Sequence, residues 1–202
     1  LVDYIGDELM AMWGAPAAQA NHASLACLAA RQMTEVLPEI SGRWHAELGA
    51  PVQLGIGLNS GVARVGNTGS ALKFKYGPLG DVVNVASRTQ GATKYLGAHC
   101  LITGDTLKEL PDKVTARRIA RVRVVNIQNA IDLYQLVASP PANWTKRCER
   151  FEEALQALER EHLSEAKQLA EALEKDFGPD DAVASLIHRI EESQVPHASG
   201  TT

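Results

Sequence analysis

The sequence predicts an α+β fold, a mainly antiparallel sheet flanked by helices, followed by a C-terminal helical extension. Two observations carry that expectation. As far as Val137, short runs rich in Val, Ile and Leu, bounded by turn residues, are interleaved with longer stretches of helical periodicity. Beyond the break Ser139-Pro140-Pro141-Ala142-Asn143 the apolar pattern reads as three helices.

Taken in order, Leu1 to Ile5 reads as a strand, Gly6-Asp7 as a tight turn and Leu9 to Trp13 as the returning strand, ended by Gly14-Ala15-Pro16. Asn21 is a candidate cap for a helix running to Val36, with Leu25, Leu28, Ala29, Gln32, Met33 and Val36 on one face and Leu37-Pro38 as its stop. Trp44 is expected to anchor local packing, and His22 and His45 to face solvent or cap helices. Val52 to Asn59 alternates as a strand, and Val62 to Val65 is expected to return along it as a hairpin. Gly66 to Ser70 then reads as a glycine-rich turn, Leu72 to Tyr76 as an extended piece, and Tyr76-Gly77-Pro78-Leu79 as a bend, because the residue before a proline is pushed out of the helical region.

The helix expected over Gly80 to Tyr95 has Asp81 at its start, where a short carboxylate favours the free N–H groups. Val82, Val85, Ala86 and Thr89 recur at helical spacing and face a core. His99 to Thr103 is a strand, Thr106 to Leu110 a short helix ended by Pro111, and Val114 to Arg118, Val122 to Val125 and Ile131 to Val137 are strands. The expected organisation is therefore a domain over 1–138, a linker over 139–146, a helical extension over 147–193 and a disordered tail over 194–202. The extension looks like one and a half tetratricopeptide-type repeats. That is too short for a free solenoid, so it is expected to pack on the domain, on a neighbouring subunit or on sequence outside this chain.

Composition narrows the function. The 202 residues carry a formal net charge of -4, with 45% hydrophobic and 22% charged residues. This argues against wrapping nucleic acid by bulk electrostatics and leaves room for a local nucleotide site. The three widely spaced cysteines, Cys27, Cys100 and Cys148, imply neither a disulfide scaffold nor a zinc site. A reducing, cytoplasmic compartment is the expectation, with Cys27 a small buried hydrophobe. No membrane-length apolar run and no signal peptide are visible. The chain opens on Leu1 within a strand, so a fragment is expected, its parent carrying upstream sensor or regulatory domains and, through them, an optional membrane attachment.

Three groups of residues carry candidate chemistry. Asn84 and Arg88, four apart, share one helix face. An amide beside a permanent cation suits a phosphorylated ligand, and equally describes a surface pair on an amphipathic helix. Asp7 at a hairpin tip offers a carboxylate to a hard cation, or to its own backbone. The glycine-rich run over 66–70 permits close approach to a phosphate or a partner, but lacks the lysine and spacing of a P-loop.

The segment GDVVNVASRTQGATKY, from Gly80 to Tyr95, resembles the signature helix of the class III nucleotide cyclase catalytic domain, the adenylate/guanylate cyclase family. VDYIGDELMAMWGAP, VQLGIGLNSGVARVGNTGS and LITGDTLKEL resemble further motifs of that family in the family's order, so the resemblance spans residues 1–137. It implies a ferredoxin-like α/β sandwich. The implied activity is conversion of ATP, or of GTP, to the 3′,5′-cyclic monophosphate and pyrophosphate by attack of the ribose 3′-oxygen on the α-phosphorus. Two Mg2+ or Mn2+ ions assist in the family. Asp7 matches the second metal-binding aspartate; the first would precede Leu1, so the isolated fragment is expected to lack a complete metal site and activity. Asn84 matches the ribose-orienting residue and Arg88 the one that stabilises charge on the α-phosphate. The family's site forms between head-to-tail subunits, which implies a homodimer.

The match has gaps. The purine-selecting lysine falls at Asp3, its companion at Gly77, and a triphosphate-contacting lysine near Val125, where Arg123 or Arg121 are candidate substitutes. Asp3, Gly77, Asp81 and Arg123 are thus the substrate-side candidates, with Lys73 and Lys75 as further phosphate contacts or surface residues. An adenylate cyclase is the leading expectation. The alternatives are a guanylate cyclase, or a weak or inactive cyclase homology domain that senses nucleotide or signals by dimerisation.

Overall fold

A computed structural model describes residues 2–70, 74–111, 114–123 and 130–195. The expectations placed on Lys73, on Val125 and on the tail beyond Val195 lie outside these residues. The chain begins with a hairpin, β1 (Asp3–Ile5) and β2 (Glu8–Met10), which turns at Gly6 with φ 64. A long helix follows, α1 (His22–Leu48), and then β3 (Ile56–Leu58). β4 (Arg64–Gly69) and β5 (Phe74–Leu79) form a second antiparallel ribbon. Then come α2 (Asp81–Ala92), β6 (Cys100–Thr103), α3 (Gly104–Lys108), β7 (Arg117–Val122) and β8 (Ile131–Gln135), and finally α4 (Trp144–Glu159), α5 (Leu163–Phe177) and α6 (Asp181–Gln194). The main sheet has the order β3-β6-β8-β7. Its β3–β6 pair is parallel, joined by a crossover that contains α2, and its other pairs are antiparallel. The α+β class and the antiparallel character stand as expected.

The sheet separates two cores, and β6 shows why. All four of its residues are buried, and by the twofold strand alternation they point to opposite faces. Cys100 and Ile102 join Ala23, Cys27 and Ala30 of α1. Leu101 joins Ile119 and Leu133 of the neighbouring strands and, over them, Phe151, Leu155, Leu173, Leu186 and Ile190 of the last three helices. Of the three packing options for the extension, the structure takes the domain itself. Cys27 and Cys100 are free thiols inside the first core, where burial pushes their pKa up to about 11 and about 12. Both are inert hydrophobes at neutral pH. Among the described residues no helix is long and apolar enough to cross a membrane.

Several local expectations fail, for identifiable reasons. α1 does not stop at Leu37-Pro38 but continues through Pro38 to Leu48. Proline deletes the bond to the carbonyl of Thr34, and the helix is solvent-exposed around that point, so water can satisfy the freed oxygen. Its core stripe is Ala23, Cys27 and Ala30, while Leu28, Met33 and Val36 are exposed. Small residues face the sheet because the helix lies close to it. Trp44 is 45% exposed and belongs to neither core. Val62 to Val65 does not fold back on β3: β3 pairs with distant β6, and Arg64 and Val65 open β4 instead. Most of the glycine-rich run over 66–70 is strand rather than turn. Tyr76 to Leu79 is likewise strand, with Pro78 tolerated in a two-stranded ribbon opposite Val65. The bend comes one residue later, at Gly80 with φ 129. The strand expected over 114–118 begins only at Arg117, as the start of β7, which has an irregularity between Arg118 and Ala120; of the strand expected over 122–125 only Val122, the end of β7, and Arg123 lie within the described residues.

One buried cation ties the extension to the sheet. Arg117, on β7, is 1% exposed. Its guanidinium donates to both carboxylate oxygens of Asp180 at 2.8 Å and to Gln135 Oε1 at 2.6 and 3.0 Å. It lies 4.9 Å from the ring centroid of Trp144 and 4.8 Å from that of Phe151, within cation–π range. Asp180 also caps α6, accepting from the N–H groups of Ala182 and Val183. Next to it, Arg118 bonds Glu152 and Glu159 of α4.

Burial pushes the Asp180 carboxyl up, but the Arg117 guanidinium outweighs it and holds the pKa below the usual carboxylate range. A lowered folded-state pKa means that this contribution is complete above the unfolded value, about 3.9, and is lost as pH falls through the folded value. Arg117→Ala is therefore expected to destabilise the fold by about 3 kcal/mol at neutral pH, since it leaves the partly buried Asp180 carboxylate without its counter-ion and Gln135 Oε1 without its donor; urea unfolding measures this. The stability gap between wild type and Asp180→Asn should narrow from pH 7 to pH 3. A gap that does not change over that range would contradict the assignment.

Candidate functional site

Gly80 lets the chain leave β5 and enter α2 at once. Within α2, Val85 and Thr89 are buried, and Thr89 Oγ1 donates back to the Val85 carbonyl at 2.8 Å. The same periodicity leaves Asn84 and Arg88 exposed, one turn apart on one face. Asp81 is exposed in the first turn. The helix thus offers solvent an amide and a guanidinium, with an acidic group at its start.

What fixes this helix is backbone contact. A Cβ built on Gly57 of β3 would lie 2.6 Å from the carbonyl oxygen of Ala86 and 2.7 Å from Cα of Gln90. A Cβ on Gly55 would overlap Thr93 Oγ1 just beyond the helix. The helix therefore rests on β3 where two side chains are missing. Just after β3, Asn59 Nδ2 donates to the carbonyl of Val82 at 3.0 Å, and its Oδ1 accepts from Thr103 Oγ1 at 2.7 Å.

The remaining candidates fall into two groups. Asp7 is exposed in the β1–β2 turn. Asp3, on the same hairpin, is hydrogen-bonded and ion-paired to Lys75 Nζ of β5. Gly77, buried two residues further along β5, is close to Val2: a Cβ there would lie 3.1 Å from Val2 Cγ1. Asp3, Lys75 and Gly77 are thus brought together where β1 meets β5, the strand that runs into α2. Arg123 is exposed just past β7. β7 is the sheet edge opposite β3, so about 14 Å of sheet separates Arg121 and Arg123 from the β3 edge on which α2 rests. Within one chain they are not assembled with Asn84 and Arg88. Among the described residues no group of three or more His, Cys, Asp or Glu side chains forms a metal cage. Asp7 alone supplies one carboxylate, so the residues present do not complete a site for Mg2+ or Mn2+.

Sequence reasoning passed over Gly57 and Asn59. The available signal was Gly55-Ile56-Gly57, two glycines on one face of an otherwise apolar strand, which marks a close backbone approach. Lys75 was weighed as a phosphate contact, not as the partner of Asp3.

Comparison with known proteins bears on this geometry. A family model described as the adenylate and guanylate cyclase catalytic domain matches residues 1–137. Adenylate cyclase 1 of Rhizobium meliloti (strain 1021) is 31% identical over 137 residues, covering 68% of this chain and 21% of that protein. The adenylate cyclase of Anabaena cylindrica is 30% identical over 142 residues, covering 67% of this chain and 27% of that protein. The chain thus spans about a fifth to a quarter of the length of these curated relatives. Among solved structures, the adenylyl cyclase CyaB from P. aeruginosa superposes with a TM-score of 0.57 at 27% identity, over 68% of this chain and 71% of that one. The guanylyl cyclase Cya2 does so with a TM-score of 0.54 at 28% identity, over 65% and 66%.

The packing at Gly57 makes a direct prediction. Gly57→Ala forces α2 off the sheet or the strand out of register, and is expected to cost about 1–3 kcal/mol or more, as overpacking does. Urea unfolding measures it, with Gly91→Ala in the same helix as the control: a Cβ there meets nothing within 4 Å, so it should be tolerated or stabilise by up to about 1 kcal/mol.

Proposed function

This chain belongs to the adenylate and guanylate cyclase catalytic domain family, and we propose that the protein carrying it converts ATP to 3′,5′-cyclic AMP and pyrophosphate at a site shared by two copies, the isolated fragment being inactive for want of a complete metal site. The observation that carries the reading is the exposed pair Asn84 and Arg88 on a helix packed backbone-to-backbone against the sheet. The two named relatives that cover two thirds of the chain are adenylate cyclases, which favours ATP over GTP.

The chemistry assigned to the chain's own residues is electrostatic and positional. Arg88, always charged and with a planar fork of donors, meets the negative charge that grows on the α-phosphate as the ribose 3′-oxygen attacks. Asn84, one turn away, donates to the ribose and holds the attacking oxygen in line. Asp7 of one copy would offer one oxygen ligand to a divalent cation, while Asn84 and Arg88 come from the other copy; Mg2+ or Mn2+, if held there, would supply Lewis-acid activation and charge neutralisation. This head-to-tail arrangement explains why Asp7 and α2 need not meet within one chain. Arg123 and Asp81 are assigned to the substrate side, Arg123 toward the phosphates. Residues 1–138 form the catalytic unit, with 139–146 the linker, whose last three residues already open α4, and 147–193 a TPR-like brace, in a protein of the cytoplasm that carries further regulatory sequence.

Asp3 and Gly77 are the base-reading positions in this assignment. Lys75, held by Asp3, restores a cation there, so the subsite presents both an acceptor and a donor. Adenine would give its amino group to Asp3 and accept from Lys75 at N1; guanine would give N1–H and N2–H to Asp3 and accept at O6. The same replacements favour a second reading, a weak or silent cyclase homology domain that senses nucleotide and signals through its dimer.

The assay is cyclic nucleotide formation from ATP or GTP with Mg2+ or Mn2+, by the longest natural protein that carries this chain. Arg88→Ala is expected to lower kcat by about 100-fold or more while nucleotide affinity changes only a few-fold. Asp7→Ala should abolish metal-dependent turnover. No cyclic product from either nucleotide, in a verified dimer, contradicts the enzymatic reading and favours the second one.

A further inference from the structure

We propose that Asn59 is a positioning residue for cyclisation, a polar latch that sets where Asn84 and Arg88 stand relative to the rest of the site. The proposal rests on the assignment of those two residues above.

Asn59 follows β3 and spans two elements with one planar carboxamide. Its Oδ1 accepts from Thr103 Oγ1 at 2.7 Å, and its Nδ2 donates to the Val82 carbonyl at 3.0 Å. Each anchor is itself fixed. Thr103 is 0% exposed, ends β6, and caps α3 by accepting from the Thr106 N–H at 3.3 Å. Val82 lies in the first turn of α2, two residues before Asn84 and six before Arg88. The latch therefore runs from the middle of the sheet to the start of the helix that carries the proposed chemistry.

The glycine contact and the latch constrain different motions. Gly57 sets the distance between helix and strand, but a flat contact without an interlocking side chain leaves rotation about the helix axis and sliding along it weakly opposed. A directional bond to one named carbonyl opposes both. The group must donate at one end and accept at the other, across a fixed length. Aspartate has no donor for Val82, and leucine has neither function. Displacing a catalytic group by about 1 Å costs on the order of 100-fold in rate. Losing one partly buried hydrogen bond shifts the urea midpoint only modestly. The latch should thus matter more for turnover than for folding.

The test uses the longest natural protein carrying this chain, with kcat and KM for ATP and a urea midpoint for each variant. Asn59→Ala is expected to lower kcat by about 10- to 100-fold with KM within about three-fold. Asn59→Asp keeps the side chain's size and its acceptor for Thr103 but sets a charged, acceptor-only oxygen against the Val82 carbonyl in place of the donor, and should lower kcat at least as far even if the alanine variant folds poorly. In an Asn84→Ala/Arg88→Ala background the effect of Asn59→Asp should shrink to about two-fold, because neither group remains to be placed. The same loss in both backgrounds, a change confined to KM, or an unaltered kcat overturns the latch while leaving the cyclase reading intact. A wild-type protein that forms no cyclic nucleotide overturns that reading, and with it the latch's role.

Discussion

The α2 helix lies on β3 at the point where Gly57 has no side chain, and most of what the molecule can do follows from that contact. A missing Cβ permits backbone-to-backbone approach: Gln90 and Ala86 occupy the space that any other residue would need. The buried side of the helix is correspondingly modest, Val85 and Thr89, so its position is set by shape more than by a large apolar stripe. Exposing a polar face at a fixed distance from a sheet requires a helix that does not need to bury both faces, and α2 meets that requirement. Asn84 and Arg88 occupy the exposed face as a consequence.

The far end of α2 is held from the other direction. Gly97, at φ 62 in the turn after the helix, accepts the start of α6: a Cβ there would lie 2.9 Å from the Ala182 N–H nitrogen. Ser185 of α6 donates to the Tyr95 carbonyl at 2.7 Å. α6 is capped by Asp180, which is clasped by Arg117 from β7. A continuous path of packed backbone and charge-assisted bonds thus joins the outer strand of the sheet, the C-terminal helices and the end of the helix that carries the proposed chemistry. The extension is the second layer of the sheet, sharing its core with Leu101, Ile119 and Leu133. This gives its helices a physical role without any repeat-type ligand groove.

Element types were legible where local chemistry and tertiary context agree. The helix over 81–92, the strand over 100–103 and the three C-terminal helices have strong periodicity and clear boundaries, and all appear. What could not be read was pairing. The hairpin expected between Val52 to Asn59 and Val62 to Val65 is the short-range solution, but β3 finds a parallel partner more than forty residues on, at Cys100 to Ile102. Nothing in the local pattern encodes such a partner. α1 misled for a different reason: its largest apolar residues point away from the sheet, while the small ones face it, so hydrophobicity pointed to the wrong stripe. At the candidate site, residue identities were readable and relations between them were not. Asp3 appeared as a carboxylate where a cation belongs, and only the fold places Lys75 on it. Asn59 appeared as the end of a strand, and only the fold shows what its amide joins.

The central claim is a site completed by two copies, with the metal-side carboxylate on one and the amide–guanidinium helix on the other. Mixed dimers test it most directly. The longest natural protein carrying this chain is prepared as Asp7→Ala and as Arg88→Ala, the two variants are mixed, dissociated and reassociated, and cyclic nucleotide formation is measured. The account predicts that the mixture regains activity far above either variant alone, because a heterodimer keeps one site with both Asp7 and Arg88 intact. A mixture no more active than its components, with heterodimers demonstrably formed, would contradict it.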